Sequence, residues 1–342
     1  MKPLTRPLLL TLAALLIALL LSALVGSVVI PPADFLRLVV AAVSGQPIPP
    51  DLTTYATILF QLRLARTVLI ALTGAALAGS GAAYQGLFRN PLADPYLLGI
   101  ASGAGLGAVI ALTIRTNLNL SGLYLVPAAA FIGALITVLL VVFMARSGHN
   151  LPTTQLILAG VAVSSFATAL TSFLMLNASG DLRRALVWLL GGSTLGGWQP
   201  VLAMLPYAAV SLGGLLLLGH PLNVLQVGDE QARQLGLPVA LVRWLVIAAA
   251  SLAAATAVAF SGVIGFVGLM TPHLMRLWWG TDYRILLPLS MLGGAALLLF
   301  ADVLARSLIA PQELPVGIIT ALAGAPFFLW VLRRARGREL SG

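Results

Sequence analysis

The chain contains no cysteine, and Lys2 is its single lysine. The first absence excludes disulfides and thiolate metal sites. The second excludes a Walker-type nucleotide site, which needs a lysine beside a glycine-rich loop to reach the phosphates; Lys2 stands in the N-terminal tail. Acidic residues number 10 against 19 basic ones. Histidine is also sparse: His149, His220 and His273 are far apart and have no Asp or Glu partners at metal-ligand spacing. A site for a bare transition-metal ion is therefore not expected. No nucleophile–base pair is evident, so no catalytic residue is assigned and the chain is not expected to be an enzyme.

What remains is apolar. Hydrophobic residues make up 60% of the 342, charged residues 8%, and the mean hydropathy is +1.03. Soluble domains are about 45–50% apolar and about 25% charged. A chain this poor in polar side chains cannot cover a water-soluble globule, and it reads as an integral membrane protein. Its apolar runs are continuous, whereas barrel strands alternate, so the expected class is all-α. The net charge of +9 bears on orientation in the membrane, not on nucleic acid. Lys2 and Arg6 before an apolar run resemble a signal peptide. Yet the run from 8 to 30 is longer than the usual core of about 7–15 residues, and no A-x-A-like site follows. It reads as a retained first span.

A span needs about 20 apolar residues. Ten candidates occur, at about 8–30, 67–88, 92–113, 124–144, 153–176, 200–219, 239–260, 262–279, 285–308 and 316–332. The eighth is the weakest, because it holds Pro272, His273 and Arg276. With ten spans both termini share one side, and 12 of the 19 basic residues then fall on it, including the tail "RRARGRE". The positive-inside rule makes that side the cytoplasm. Two outer segments exceed simple turns: 31–56, with a short amphipathic helix in "PPADFLRLVVAAV", and 177–199, with another helix and a glycine-rich turn. No repeat or low-complexity tract divides residues 1–342, which read as one domain.

Small residues recur every fourth position, at Gly74, Ala78, Ala82 and Gly86 and at Gly99, Gly103 and Gly107, a spacing that lets helix backbones approach closely. Intramembrane carboxylates are nearly absent, with Asp302 near the outer end of the ninth span and Asp94 at the inner start of the third. Their scarcity argues against an ion-coupled carrier. Ser164, Thr168 and Ser172 share one face of the fifth span, and either line a pathway or make interhelical hydrogen bonds.

Against this background the stretch "VGDEQARQLGLP", Val227 to Pro238, is unusual. Asp229 and Glu230 suit a helix N-terminus and Arg233 its last turn. Gly236 suits a C-terminal cap, and Pro238 stops further helix. So short a helix is marginal alone. With Ala232 and Leu235 on or near one face, it either rests on its own bundle or docks a cytoplasmic partner.

The stretches "RLARTVLIALTGAALAGSGAAYQGLFRNPLADPYLLGIASGAGLGA" (63–108), "GDEQARQLGLP" (228–238), "SGVIGFVGLMTPHLMR" (261–276) and "PQELPVGIITALAGAPFFLWVL" (311–332) closely resemble the FecCD-type permeases. These are membrane subunits of type II ABC importers for iron–siderophores, haem and vitamin B12. The resemblance covers nearly the whole chain from the second span onward. It implies about ten transmembrane helices per subunit in the type II importer fold, and a homodimer in the bacterial inner membrane, in contact with lipid. It implies two cytoplasmic ATP-binding subunits, which would hold ATP and Mg, and a periplasmic or lipid-anchored substrate-binding protein. No cofactor is expected in this chain itself.

By the same resemblance, the region about 226–238, with Gly228, Asp229, Glu230, Ala232, Arg233, Leu235 and Gly236, would couple to the ATPase. Arg63, Arg66 and Arg306 would dock the binding protein, although arginines at a membrane surface also simply snorkel. Asn90, Leu92, Thr153 and Thr154 would form the cytoplasmic gate. The expected cargo is an iron chelate, ferric siderophore or haem, because such chelates are the family's commonest substrates. Cobalamin is the alternative, and an ion-coupled secondary carrier the reading from another class.

Overall fold

The structure is a computed structural model that describes residues 5–26, 28–113, 124–146, 151–177, 182–192 and 195–339. Lys2, Arg115 and His149, and parts of the expected 177–199 segment, lie outside them. The chain order is α1 (Thr5–Leu24), α2 (Pro32–Ser44), α3 (Leu64–Leu87), α4 (Ile100–Thr113), α5 (Leu125–Ala145), α6 (Thr153–Asn177), α7 (Leu182–Leu189), α8 (Trp198–Leu217), α9 (Gly219–Leu225), α10 (Asp229–Gln234), α11 (Val239–Ser261), α12 (Val267–Trp279), α13 (Tyr283–Ser307) and α14 (Val316–Glu339). Among the described residues there is no strand. Among the described residues, seven helices are long and apolar enough to cross a membrane, and Ile100–Thr113 and Val316–Val331 are shorter apolar helices.

Three expectations on element bounds need correction. The second span does not begin at 67. Helix runs from Thr53 through a π-helical segment, Thr57–Arg63, directly into α3. The third begins at Ile100 and not at 92, because the Asp94 carboxylate accepts from the Tyr96 amide and caps a separate 3₁₀ turn, Pro95–Leu98. The eighth segment is irregular for its first third. Gly262 and Phe266 adopt left-handed φ of 76° and 69°, and α12 itself has only 13 residues, about 20 Å, too short to cross alone. The bared backbone finds partners within the protein: the Tyr96 hydroxyl donates to Ile264 O at 2.9 Å, and Val263 N donates to Trp188 O at 3.4 Å. Irregular backbone at membrane depth is tolerated only when satisfied in this way.

α3 is the axis of the bundle and packs against α13, α11, α12 and α8. Its small residues permit this. A Cβ on Gly74 would lie 2.3 Å from Gly294 O of α13, and one on Gly81 would lie 1.9 Å from Gly268 O of α12. The second stripe works alike, since a Cβ on Gly103 or Gly107 would strike Thr137 or Ala129 of α5. Hydrogen bonds reinforce the α3–α11 seam: Thr73 to Ser261 at 2.6 Å, Ser80 to Ala250 O at 2.8 Å and Tyr84 to Ser251 at 2.6 Å. In lipid, close packing and such bonds replace the hydrophobic drive between helices.

Overpacking a tight contact costs about 1–3 kcal/mol. Gly81→Ala is therefore expected to lower the thermal unfolding midpoint of the purified protein in detergent. Gly213→Ala, where a Cβ meets nothing within 4 Å, is expected to leave it unchanged.

Candidate functional site

Two polar clusters mark opposite ends of α3, a helix of 24 residues, about 36 Å long. The first is built around α10. Gly228, at φ 113°, opens the helix. Gly236, at φ 83°, closes it with Gly236 N donating to Arg233 O at 2.9 Å and Leu237 N to Ala232 O at 3.0 Å. This is the glycine cap expected at that position, in its full two-bond form. The expected shared face of Ala232 and Leu235 does not form. Ala232 is fully buried, whereas Leu235 is 69% exposed. Glu230 and Arg233 pair with each other at 3.6 Å on the open side.

Asp229 faces the opposite way. Its Oδ1 accepts from Arg89 Nη2 at 2.7 Å, just beyond the end of α3, and its Oδ2 from Arg243 Nη2 at 2.8 Å, on α11. Arg243 also donates through Nη1 to Leu151 O at 2.8 Å. One face of α10 therefore rests on its own bundle, and the other is open. Nearby, Asp282 caps α13 and ties it to α9, accepting from Asn223 Nδ2 at 2.6 Å while Asn223 Oδ1 accepts from Tyr283 N at 2.8 Å. Arg284, bonded to the same carboxylate, holds it below the usual range.

The four expected gate residues lie around this cluster. Asn90 follows Arg89, and its Oδ1 accepts from Leu92 N at 2.9 Å. Both side chains are exposed. Thr153 is half-buried and Thr154 exposed at the start of α6. A cavity of about 350 Å³ is lined by Thr153, Asp229, Glu230, Arg233 and Arg243. A second, of about 500 Å³, is lined by Asn90, Arg89, Arg276 and Asn223. The structure thus brings the loop and gate residues to one end of the bundle. Arg89 and Arg243 are functional candidates that the sequence analysis does not single out. Nothing in the sequence signals that one carboxylate, 140 and 14 residues away, joins them.

At the other end, Arg63, Arg66 and Arg306 converge, but two of them turn inward. Arg63, 6% exposed, donates to Ala23 O, Leu24 O and Val28 O. Arg306, 3% exposed, donates to Val25 O at 3.1 Å and to Ser22 Oγ at 3.1 Å. These include the carbonyls that the end of α1 leaves without intrahelical partners, at the helix pole that favours positive charge. Arg66 remains one-third exposed and bridges buried Asp302 at 2.8 Å to Glu313 at 2.6 Å. Arg306 Nε lies 3.0 Å from the other oxygen of Asp302.

Ser164 is half-buried on α6, and Thr168 and Ser172 are exposed. Ser172 donates back to Thr168 O at 3.0 Å. Around them α6 exposes Val161, Phe166, Phe173 and Leu176, a mixed apolar and hydroxyl surface.

A family profile described as the FecCD transport family matches residues 14–334. An uncharacterized ABC transporter permease protein of Bacillus subtilis, YvrB, is 44% identical over 299 residues, 86% of this chain and 85% of that protein. The cobalamin import system permease protein BtuC of Halobacterium salinarum is 47% identical over 279 residues, 82% of this chain and 74% of that protein. Among solved structures, an inward-facing metal-chelate type ABC transporter superposes with a TM-score of 0.74 at 33% identity, covering 88% of this chain and 97% of the other.

Removing one member of a buried ion pair strands its partner and costs about 3–5 kcal/mol. Asp302→Ala, which leaves Arg306 buried without its carboxylate, is expected to lower the thermal unfolding midpoint in detergent markedly. An unchanged midpoint would show that this cluster does not hold the end of α1.

Proposed function

The chain belongs to the FecCD transport family and is the multi-pass membrane permease of a type II ABC importer, and on that premise we propose that it imports a corrinoid, cobalamin, across the bacterial inner membrane. The observation that carries the cargo is the 47% identity, across most of the chain, to a permease named for cobalamin import. An iron chelate, the cargo expected from the sequence, is the second reading. It draws support from the likeness to a metal-chelate type transporter, at the lower identity of 33%.

In this reading two copies meet along the exposed face of α6, and Ser164, Thr168 and Ser172 line the passage between them. Both termini are cytoplasmic, as the distribution of basic residues favours. The α10 end then faces two ATPase subunits, which hold ATP and Mg. The chain itself does no catalysis and holds no cofactor. Glu230, Arg233 and Leu235 form the face offered to the ATPase. Gly228 and Gly236 set the bends at either end of α10, and Asp229 and Ala232 seat it on the bundle. Asn90, Leu92, Thr153 and Thr154 gate the same end by bulk and hydrogen bonding. The Arg66 end faces the periplasm and the substrate-binding protein. Arg66 is the docking contact, and Arg63 and Arg306 hold the end of α1 beneath it. ATP-driven closure of the ATPase pair pushes on α10 and rocks one copy against the other.

Uptake into proteoliposomes tests this, with the chain and its ATPase in the membrane, ATP inside and the binding protein outside. Cobalamin, a ferric siderophore and haem are offered separately. ATP-dependent uptake of cobalamin alone is expected. Uptake of an iron chelate instead moves the cargo to the second reading, and uptake that survives loss of the ATPase sinks the importer reading.

Exposed ion pairs add at most about 1 kcal/mol. Glu230→Ala combined with Arg233→Ala is therefore expected to leave thermal stability unchanged while reducing co-purification of the ATPase. Undiminished co-purification would remove this face from the interface.

A further inference from the structure

We propose that Asp229 is the positioning residue through which a displacement of α10 reaches both halves of the gate, by way of Arg89 on one side and Arg243 on the other. The inference rests on the importer reading and names the linkage inside it.

The geometry divides the six-residue α10 between two tasks. Glu230 and Arg233 occupy each other on the open side, so this pair carries no net charge and, among the described residues, makes no ion pair to the bundle. Asp229 is turned inward and uses each carboxylate oxygen for a different arginine, at 2.7 Å and 2.8 Å. Such charge-assisted bonds are short and about twice as strong as neutral ones. Besides them, α10 is seated chiefly by the buried methyl of Ala232, which gives little lateral grip.

Each arginine leads to a different gate segment. Arg89 immediately precedes Asn90, and its backbone stands at φ 51°, one of two non-glycine residues with positive φ among the described residues. A branched or long side chain is uncommon in that region and persists only where its surroundings fix it. Here the backbone is fixed by the two-bond cap that closes α3, Arg89 N donating to Gly86 O at 3.3 Å and Asn90 N to Gln85 O at 3.1 Å, and the side chain that leaves this fixed turn reaches Asp229. Arg243 holds Asp229 with one nitrogen and Leu151 O with the other, at 2.8 Å each, and Leu151 stands two residues before Thr153. A movement of α10 must therefore drag both segments or break a charge-assisted bond.

The test uses the whole complex in proteoliposomes. Because the chain has no cysteine, single reporters can be placed at exposed positions outside the gate itself, Pro91→Cys beside Asn90 and Gln155→Cys on α6. The rate of maleimide labelling of this chain is read without nucleotide and after trapping with ATP and vanadate. In the parental proteins both reporters are expected to respond to nucleotide. Absence of any response there overturns the importer reading and the linkage with it. Asp229→Asn is expected to shrink the response of both reporters about tenfold, the scale of a typical coupling between sites, while the ATPase still co-purifies and hydrolyses ATP. Asp229→Glu, which keeps the charge, should restore it. Arg89→Met should silence the Pro91→Cys reporter and spare the other, and Arg243→Met the reverse. A full response in the Asp229→Asn protein overturns the linkage. Should that variant fail to assemble, the arginine variants decide: equal effects on both reporters, or none, overturn it as well.

Discussion

Every backbone amide and carbonyl that lies at membrane depth must find a partner inside the protein, because lipid offers none. The irregular features of this structure follow from that constraint. The turn 262–266 between α11 and α12 leaves helical geometry, and the Tyr96 hydroxyl and the Trp188 carbonyl take up its freed groups. The end of α1 leaves carbonyls bare, and two arginines are spent on them. One of these arginines, Arg306, is in turn paired with Asp302, which sits buried on α13. One of the few intramembrane carboxylates in the sequence is thus the third layer of a solution to an unpaired helix end.

The same constraint shapes the packing. Where small residues line a seam, helices can approach until backbone meets backbone, and α3 does so on two sides through Gly74 and Gly81. Such contacts have no slack, so the axis moves as a unit. At the two ends the elements are held instead by charged side chains, through ion pairs and bonds to backbone carbonyls. Packed cores are bistable and not continuously deformable, which is the property that the rigid-body rocking in the proposed function requires.

Much of this was legible in the sequence. Continuous apolar runs gave the helical class, and the four-residue stripes of glycine and alanine marked seams that the structure closes through α13 and α5. Gly236 and Pro238 marked the end of α10 because a positive φ and a missing amide are local properties. The missed features are non-local. The face on which Leu235 sits depends on what Ala232 is buried against, and α10 is too short for periodicity to say. The inward turn of Arg63 and Arg306 depends on where α1 ends in space, although both residues look like ordinary arginines at a span boundary. The early start of the second span was hidden because Thr53 to Arg63 is too mixed in polarity to read as a continuation of α3.

The cargo is the least legible property, and the reason is physical. If α6 lines the passage as proposed, its exposed and half-buried hydroxyls, Ser164, Ser165, Thr168 and Ser172, set among Val161, Phe166, Phe173 and Leu176, offer a surface that any large ligand can slide past. Specificity needs either matched polar groups or built-in penalties against the wrong ligand. A passage that must release what it admits is poorly served by both, since a tight site midway would retain the cargo. Selection is better placed before the passage, in the substrate-binding protein proposed to meet the Arg66 end, and a permease so relieved can keep a smooth wall. On this argument similar permeases can serve chemically different chelates with little change in α6, and the charged ends, where partners are recognised, are where their sequences should differ by cargo system.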